Sequence, residues 1–200
     1  TGGNEGAHSA VGATLDGDIA INEINAYIKD SDVNASKNLD VKAQSDVDVI
    51  TVDAAGTAAF NDSAFSGTLA VFALENTENA FIENSNINQT AARINKGADT
   101  SVSAITSFDD LAIVGTVAYG SKSSGDASIR VDGIADNVNS YIKNSSIDTT
   151  GDVNLYNKSE FDALTVSAAG MISQGNVGAS GSVSILIDNA TQNNYIENSE

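Results

Sequence analysis

Asn25-Ala26-Tyr27-Ile28-Lys29-Asp30-Ser31-Asp32-Val33-Asn34 decides how this chain is read, because it comes back. It returns as Asn79-Ala80-Phe81-Ile82-Glu83-Asn84-Ser85-Asn86-Ile87-Asn88 and as Asn139-Ser140-Tyr141-Ile142-Lys143-Asn144-Ser145-Ser146-Ile147-Asp148. A fourth copy begins as Asn193-Asn194-Tyr195-Ile196-Glu197-Asn198-Ser199. The aromatics Tyr27, Phe81, Tyr141 and Tyr195 are 54, 60 and 54 positions apart. Self-similarity at a near-fixed period marks a repeat architecture. The chain divides into a repeat tail (1–24), three repeats (25–78, 79–138 and 139–192) and the start of another (193–200).

Each motif position carries its own message. The slot shared by Lys29, Glu83, Lys143 and Glu197 accepts either sign, which reads as a solvated position and not as a catalytic or metal-binding one. Asp30-Ser31, Asn84-Ser85, Asn144-Ser145 and Asn198-Ser199 predict a corner between two strands. Asn and Asp tolerate left-handed backbone, and short polar side chains bond their own backbone nearby. If the repeats stack, these Asn and Ser side chains form a polar ladder.

Before each motif runs an aliphatic segment: Asp18–Ile24, Thr68–Leu74, Ser128–Ile134 and Val183–Asp188. Each is read as following a glycine-bearing polar turn, at Gly12 and Gly17, Gly67, Gly125, and Gly178 and Gly181. After the motif comes a second strand, Leu39–Ala43, matched by Val153–Tyr156 and more weakly by Ala92–Asn95. A third follows, Val47–Gly56, closely paralleled by Phe161–Gly170. In the middle unit Val102–Ser107 and Leu111–Gly120 occupy this part. The six extra residues of that unit (60 against 54) are expected in a loop at Phe108–Asp110 or Ser121–Gly125. Alternating apolar and polar residues mean one buried and one wet face. No stretch longer than about ten residues has helical period, and Val, Ile and Thr outnumber helix formers. Short strands between Gly, Asn, Asp and Ser clusters give an all-β reading.

Among all-β folds, sandwiches and barrels do not need one motif to recur at this period. A transmembrane barrel needs aromatic girdles, and only 6% of this chain is aromatic. The pattern therefore predicts a parallel β-helix, a β-solenoid, with like residues stacked at about 4.8 Å. Three coils of about 18 residues, or two of about 27, fill one repeat by ordinary strand lengths, and three is the preferred division. Parallel crossovers favour a right-handed path. The core is expected to be slender and rich in Ala.

The repeat units, with Asn-Ala-Tyr-Ile, then Asn/Asp-Ser, then a Val-x-Val-x-Ala strand and a small-residue stretch, resemble those of large secreted bacterial surface proteins. These are the leukotoxin-type filamentous adhesins and, more loosely, autotransporter passengers and filamentous haemagglutinins. The resemblance covers essentially the whole chain. It implies a parallel β-helix outside the cell, acting as stalk or adhesin. This chain has fewer glycines in its small-residue stretch than those repeats, and charged Asp53, Asp62 and Asp109-Asp110 nearby.

Composition narrows the function. The net charge is −18, from 27 acidic and 9 basic residues. That opposes binding to nucleic acid or anionic lipid. There is no Cys and no Pro, so disulfide stapling and Cys-based zinc sites are excluded. The longest clean apolar run, Leu69–Leu74, is six residues, far short of a span, so no membrane insertion is expected within this segment. The opening residues form no basic-then-apolar leader and the chain ends inside a motif. It reads as a segment of something longer, secreted by signals outside it.

The search for chemistry yields little. The single histidine, His8, and the two arginines, Arg93 and Arg130, do not form an acid–base–cation set. The acidic pairs Asp16/Asp18, Asp30/Asp32, Asp46/Asp48 and Asp109/Asp110 offer oxygens of the kind calcium takes. None is kept in all repeats and the calcium-roll nonapeptide is absent, so they read as solvated strand faces. Asn-x-Ser triplets such as Asn34-Ala35-Ser36 and Asn144-Ser145-Ser146 are expected by chance. No catalytic, cofactor-binding or metal residue is assigned, and no cofactor is expected. The expectation is a structural segment of an extracellular bacterial filamentous adhesin or stalk, meeting a host or neighbouring-cell receptor or copies of itself. The alternatives are a subunit of a self-polymerising β-fibre and, less favoured, a carbohydrate-active β-helix enzyme.

Overall fold

Two facing layers of very long parallel strands make up the protein. The computed structural model describes residues 9–60, 62–89, 98–175 and 177–200. The strands are β1 (Ala10–Lys29), β2 (Asp32–Val33), β3 (Leu39–Ala59), β4 (Ala64–Glu83), β5 (Asn86–Ile87), β6 (Thr100–Gly120), β7 (Ser123–Lys143), β8 (Ser146–Ile147), β9 (Val153–Ser173) and β10 (Val177–Glu197). The first sheet has the order β1-β4-β7-β10 and the second β3-β6-β9. A narrow sheet, β2-β5-β8, closes one side. All pairings are parallel. The chain is a parallel β-solenoid.

The register settles the coil. Tyr27 lies beside Phe81, Phe81 beside Tyr141, and Tyr141 beside Tyr195. One repeat is therefore one coil, and the expected division into three coils of about 18 residues, or two of about 27, is wrong. The physical reason is strand length. The turn-like clusters predict short strands, yet those of the two main sheets run 20 or 21 residues without a break. At about 3.3 Å per residue each is roughly 66 Å long, so a coil is a broad flat plank and not a slender tube. The glycines read as turns lie inside strands β1, β4, β7 and β10. Gly125 shows why one of them is glycine: a Cβ there would stand 2.8 Å from the Phe65 ring of the preceding coil.

The inserted residues are also elsewhere than expected. Val33 pairs with Ile87, 54 positions on, but Leu39 pairs with Thr100, 61 positions on. The extra length thus falls between Ile87 and Thr100, after the narrow sheet, and Phe108, Asp109 and Asp110 sit within β6. The middle counterpart of Leu39–Ala43 is Thr100–Ala104, while residues 92–95 lie outside the described residues. The matching of Val47–Gly56 with Phe161–Gly170 holds, through β6.

The two main sheets run in opposite directions, pinned by side chains that cross between them. The Gly170 amide donates to Asp126 (2.7 Å) near one end, and the Asn157 side-chain amide donates to the Val138 carbonyl (2.9 Å) nearer the other. We call the end at the Asn/Ser motif the corner end and the opposite end, where β3 turns into β4, the return end.

Between the sheets, three zones follow one another. At the corner end lies an aliphatic core that includes Val41, Ile82, Val102, Val138 and Ile142. In the middle, Phe72 packs across on Phe108, which stacks along its sheet on Phe161 at 5.5 Å. At the return end the buried inward residues are largely polar: Ser66, Thr68, Thr116, Ser124, Asp126, Ser128, Arg130 and Asp132. Here only alanines, Ala59, Ala64 and Ala118, cluster.

Candidate functional site

The corner is the most regular element of the molecule. Asp30, Asn84, Asn144 and Asn198 all have positive φ, 48° or 49°, which Asn and Asp accept at lower cost than other non-glycine residues. The chain turns there while keeping its ladder: the Asp30 amide donates to Glu83 O, Asn84 to Lys143 O and Asn144 to Glu197 O, each at 3.0 Å. The serine that follows has two tasks. Its hydroxyl donates to the carbonyl two residues back, as Ser85 does to Glu83 (2.7 Å), and accepts the serine amide of the preceding coil, as Ser85 does from Ser31 (3.1 Å). A hydroxyl on a short side chain does both, which is why each copy has Ser. The expected polar ladder is present.

Three further columns climb the outer face beside it. Asn79 donates to Asn25 (2.8 Å), Asn139 to Asn79 (2.9 Å) and Asn193 to Asn139 (2.8 Å). The rings of Tyr27, Phe81, Tyr141 and Tyr195 stack at 5.2, 4.8 and 5.1 Å, within 10° of parallel. Such pairs contribute about 0.5–1.5 kcal/mol each beyond burial. The slot of either sign is an alternation: Lys29 pairs with Glu83 at 3.0 Å and Lys143 with Glu197 at 3.3 Å. Its hydrogen bond and its charge make Glu83 raise the Lys29 pKa. The slot is half-exposed, as expected, but the sign is set by the neighbour above or below.

The acidic pairs separate on strand alternation. Asp109 points outward and stacks in register with Asp48 and Asp162, along a shallow groove of about 460 Å³ that Ile50, Leu111 and Leu164 also line. Asp110 points inward, to a guanidinium. Arg130, 1% exposed, lies 3.0 Å from Asp110 and 2.8 Å from Asp132, and its Nε donates to Asp132 at 2.9 Å. This buried ion cluster joins the two sheets, and nothing local in the sequence announces it, since Asp110 and Arg130 are 20 residues apart on different sheets. Burial nevertheless raises the Asp110 pKa against the pull of Arg130. Asp16 and Asp18 share the inward face of β1, and Asp30 and Asp32 flank the corner. Among the described residues no group of three or more His, Cys, Asp or Glu is placed to hold a metal ion. His8 and Arg93 lie outside the described residues.

Comparison of the chain with protein-family models, with curated proteins and with solved structures found no match.

Two more inward carboxylates stand out. Glu78 is fully buried, and neither of its oxygens has a hydrogen-bond partner of ordinary geometry among the described residues. Desolvation, and next the charge of Asp136 in the adjoining coil, push its pKa up to about 7, against the opposing influence of Ser45 and Asn76. Asp136 is itself raised by burial. The signal for these residues was in the sequence: inward Glu78 occupies the position of Ile24 and Val138.

Proposed function

We propose that the chain is a structural segment of an extracellular bacterial filamentous adhesin, presenting a rigid repetitive surface to a host or neighbouring cell. The observation that carries this reading is the stacking of one repeat on the next in full register, with the Asn, aromatic and Lys/Glu columns running up the outside. Like side chains at about 4.8 Å spacing make a stiff and multivalent face, in which a weak contact recurs from coil to coil. Coil shape favours breadth over reach. Each repeat of 54 to 60 residues adds only one strand spacing, about 4.8 Å, to the length, so a long stalk of this kind consumes much chain while a wide face comes at once. The acidic surface, at net charge −18, favours solubility.

The test is display of this segment on a non-adherent bacterial cell. Attachment to host or neighbouring cells should rise above that of cells displaying an acidic protein of equal size. Equal attachment would remove the adhesive role and leave a scaffold.

A further inference from the structure

The corner columns and the ion cluster leave one large feature unexplained, the outer faces at the return end. On the first sheet Leu15, Leu69, Ile129 and Val183 form one outward column, in register. Beside it runs a column of small residues, Ala13, Gly67, Ala127 and Gly181. The second sheet repeats the design: Ile50, Leu111 and Leu164 form a ridge, and Ala54, Gly115 and Ala168 a groove. Many of these aliphatic side chains are exposed, Leu15 at 78%, Ile50 at 73% and Leu164 at 60%. Outward positions from Val11 to Ile21 and from Ile50 to Ala58 carry no charge. The charged row Asp48–Asp109–Asp162 stands at the margin of the second band.

We infer that this end of the solenoid is the docking surface for a second copy of the same chain, packed flank to flank with outer face against outer face. In a β-sandwich the apolar sides of two sheets meet at about 10 Å. At the corner end each sheet meets that rule inside its own coil. At the return end most of the large aliphatic side chains of each sheet point away from its partner sheet, and the space between the sheets holds, beside Val114 and several alanines, the charged Arg130, Asp110 and Asp132 and hydroxyls that have no partner among the described residues. Only another sheet laid on the outside completes the sandwich there. A neighbouring copy supplies it, since both faces carry the same ridges of branched residues beside grooves of Gly and Ala. The band on the first sheet spans four strands and about nine residues, roughly 19 Å by 30 Å, or on the order of 600 Å² in projection. That approaches the roughly 800 Å² per partner of a stable interface, and each added coil enlarges it. A second copy fits better than a bilayer. An open solenoid has edge strands whose backbone groups would be orphaned in hydrocarbon. An interfacial belt also needs aromatics at both margins, and the return end offers few, exposed Phe60 against half-buried Tyr119 and exposed Phe65.

This holds whether or not the surface is adhesive. The test is sedimentation of the whole chain over a range of concentrations. Wild type should form dimers or larger assemblies, more strongly at about 1 M salt, where screening reduces acidic repulsion to a few ångström. Leu69→Glu and Leu164→Glu should each weaken association at least tenfold, because a carboxylate is driven into an apolar contact. Leu164→Thr, a good strand former, should weaken it less and guards against loss of the fold, which far-UV circular dichroism checks. Gln44→Glu, on the outer face toward the corner end, should leave it unchanged. A monomer at every concentration and salt overturns the inference, as does association that ignores the ridge substitutions. A monomeric wild type that floats with phosphatidylcholine vesicles overturns it in favour of lipid.

Discussion

Strand β7 has opposite habits at its two ends. Toward the corner, Val138 and Ile142 point inward and are buried, while Asn139 and Tyr141 face out. Toward the return, Arg130 and Asp132 point inward, while Ile129 and Val131 face out. The same inversion recurs in the strands beside and opposite it. Alternation has a period of two, so the apolar set changes face wherever successive apolar residues are an odd number apart. That step falls at Ile21 to Ile24, Val131 to Ile134, Phe108 to Leu111 and Phe161 to Leu164, close to the Phe108 stack in every coil. Thus one end of the plank is held by a core within the chain, and the other by a polar interior whose apolar counterpart lies outside.

The largest expected effect probes the polar end. Arg130→Ala should destabilise by about 3–5 kcal/mol, because Asp110 and Asp132 remain buried without their cation. The triple substitution Arg130→Met, Asp110→Val, Asp132→Leu should restore most of that, read as the midpoint of urea unfolding. A neutral Arg130→Ala would mean that the return end is not held by its ion cluster.

Next comes the contrast between faces. Ile142→Ala, in the corner core, should cost about 2–5 kcal/mol. Ile50→Ala, outward at the return end, should cost less than about 0.5 kcal/mol under monomeric conditions. Equal losses would erase the distinction between the two ends.

Glu78 marks the passage between them and sets a pH dependence. Its pKa is raised from 4.5 to about 7 in the folded chain, so its contribution is complete below about pH 4.5 and is lost as the pH climbs through 7. Asp136 in the next coil moves in the same direction. Between pH 5 and pH 8, wild type should lose about 2.5 kcal/mol relative to Glu78→Gln, a shift measurable in parallel denaturation curves. Parallel pH profiles for the two proteins would show that Glu78 ionises without cost.

The smallest effect is at the corner. Asn84→Ala should cost about 1–2 kcal/mol for left-handed backbone, and Asn84→Gly clearly less. Equal costs would place the role of Asn84 in its side-chain ladder.

Much of the corner was legible because its neighbours in space are its own copies. When residue 27 lies on residue 81, whatever suits one position suits the other, and the motif announces itself. The turn residues Asp30, Asn84, Asn144 and Asn198 were legible for the same reason, since the backbone demand is local. The return end was not. Gly17, Gly67 and Gly125 looked like turns because nothing in a linear chain distinguishes a glycine that bends the backbone from one that clears space for a neighbouring ring. Arg130 gave no sign of its partners, since the strand that brings Asp110 across to it belongs to the other sheet.

By itself the sequence determined the all-β stack, its period, the corner and the columns that climb it, because each depends on local backbone preference or on like meeting like. Tertiary structure alone decided the coil size and which face lies inside. A repeat of 54 residues divides equally well into one, two or three coils, and alternation defines two faces without naming the one that meets the opposite sheet.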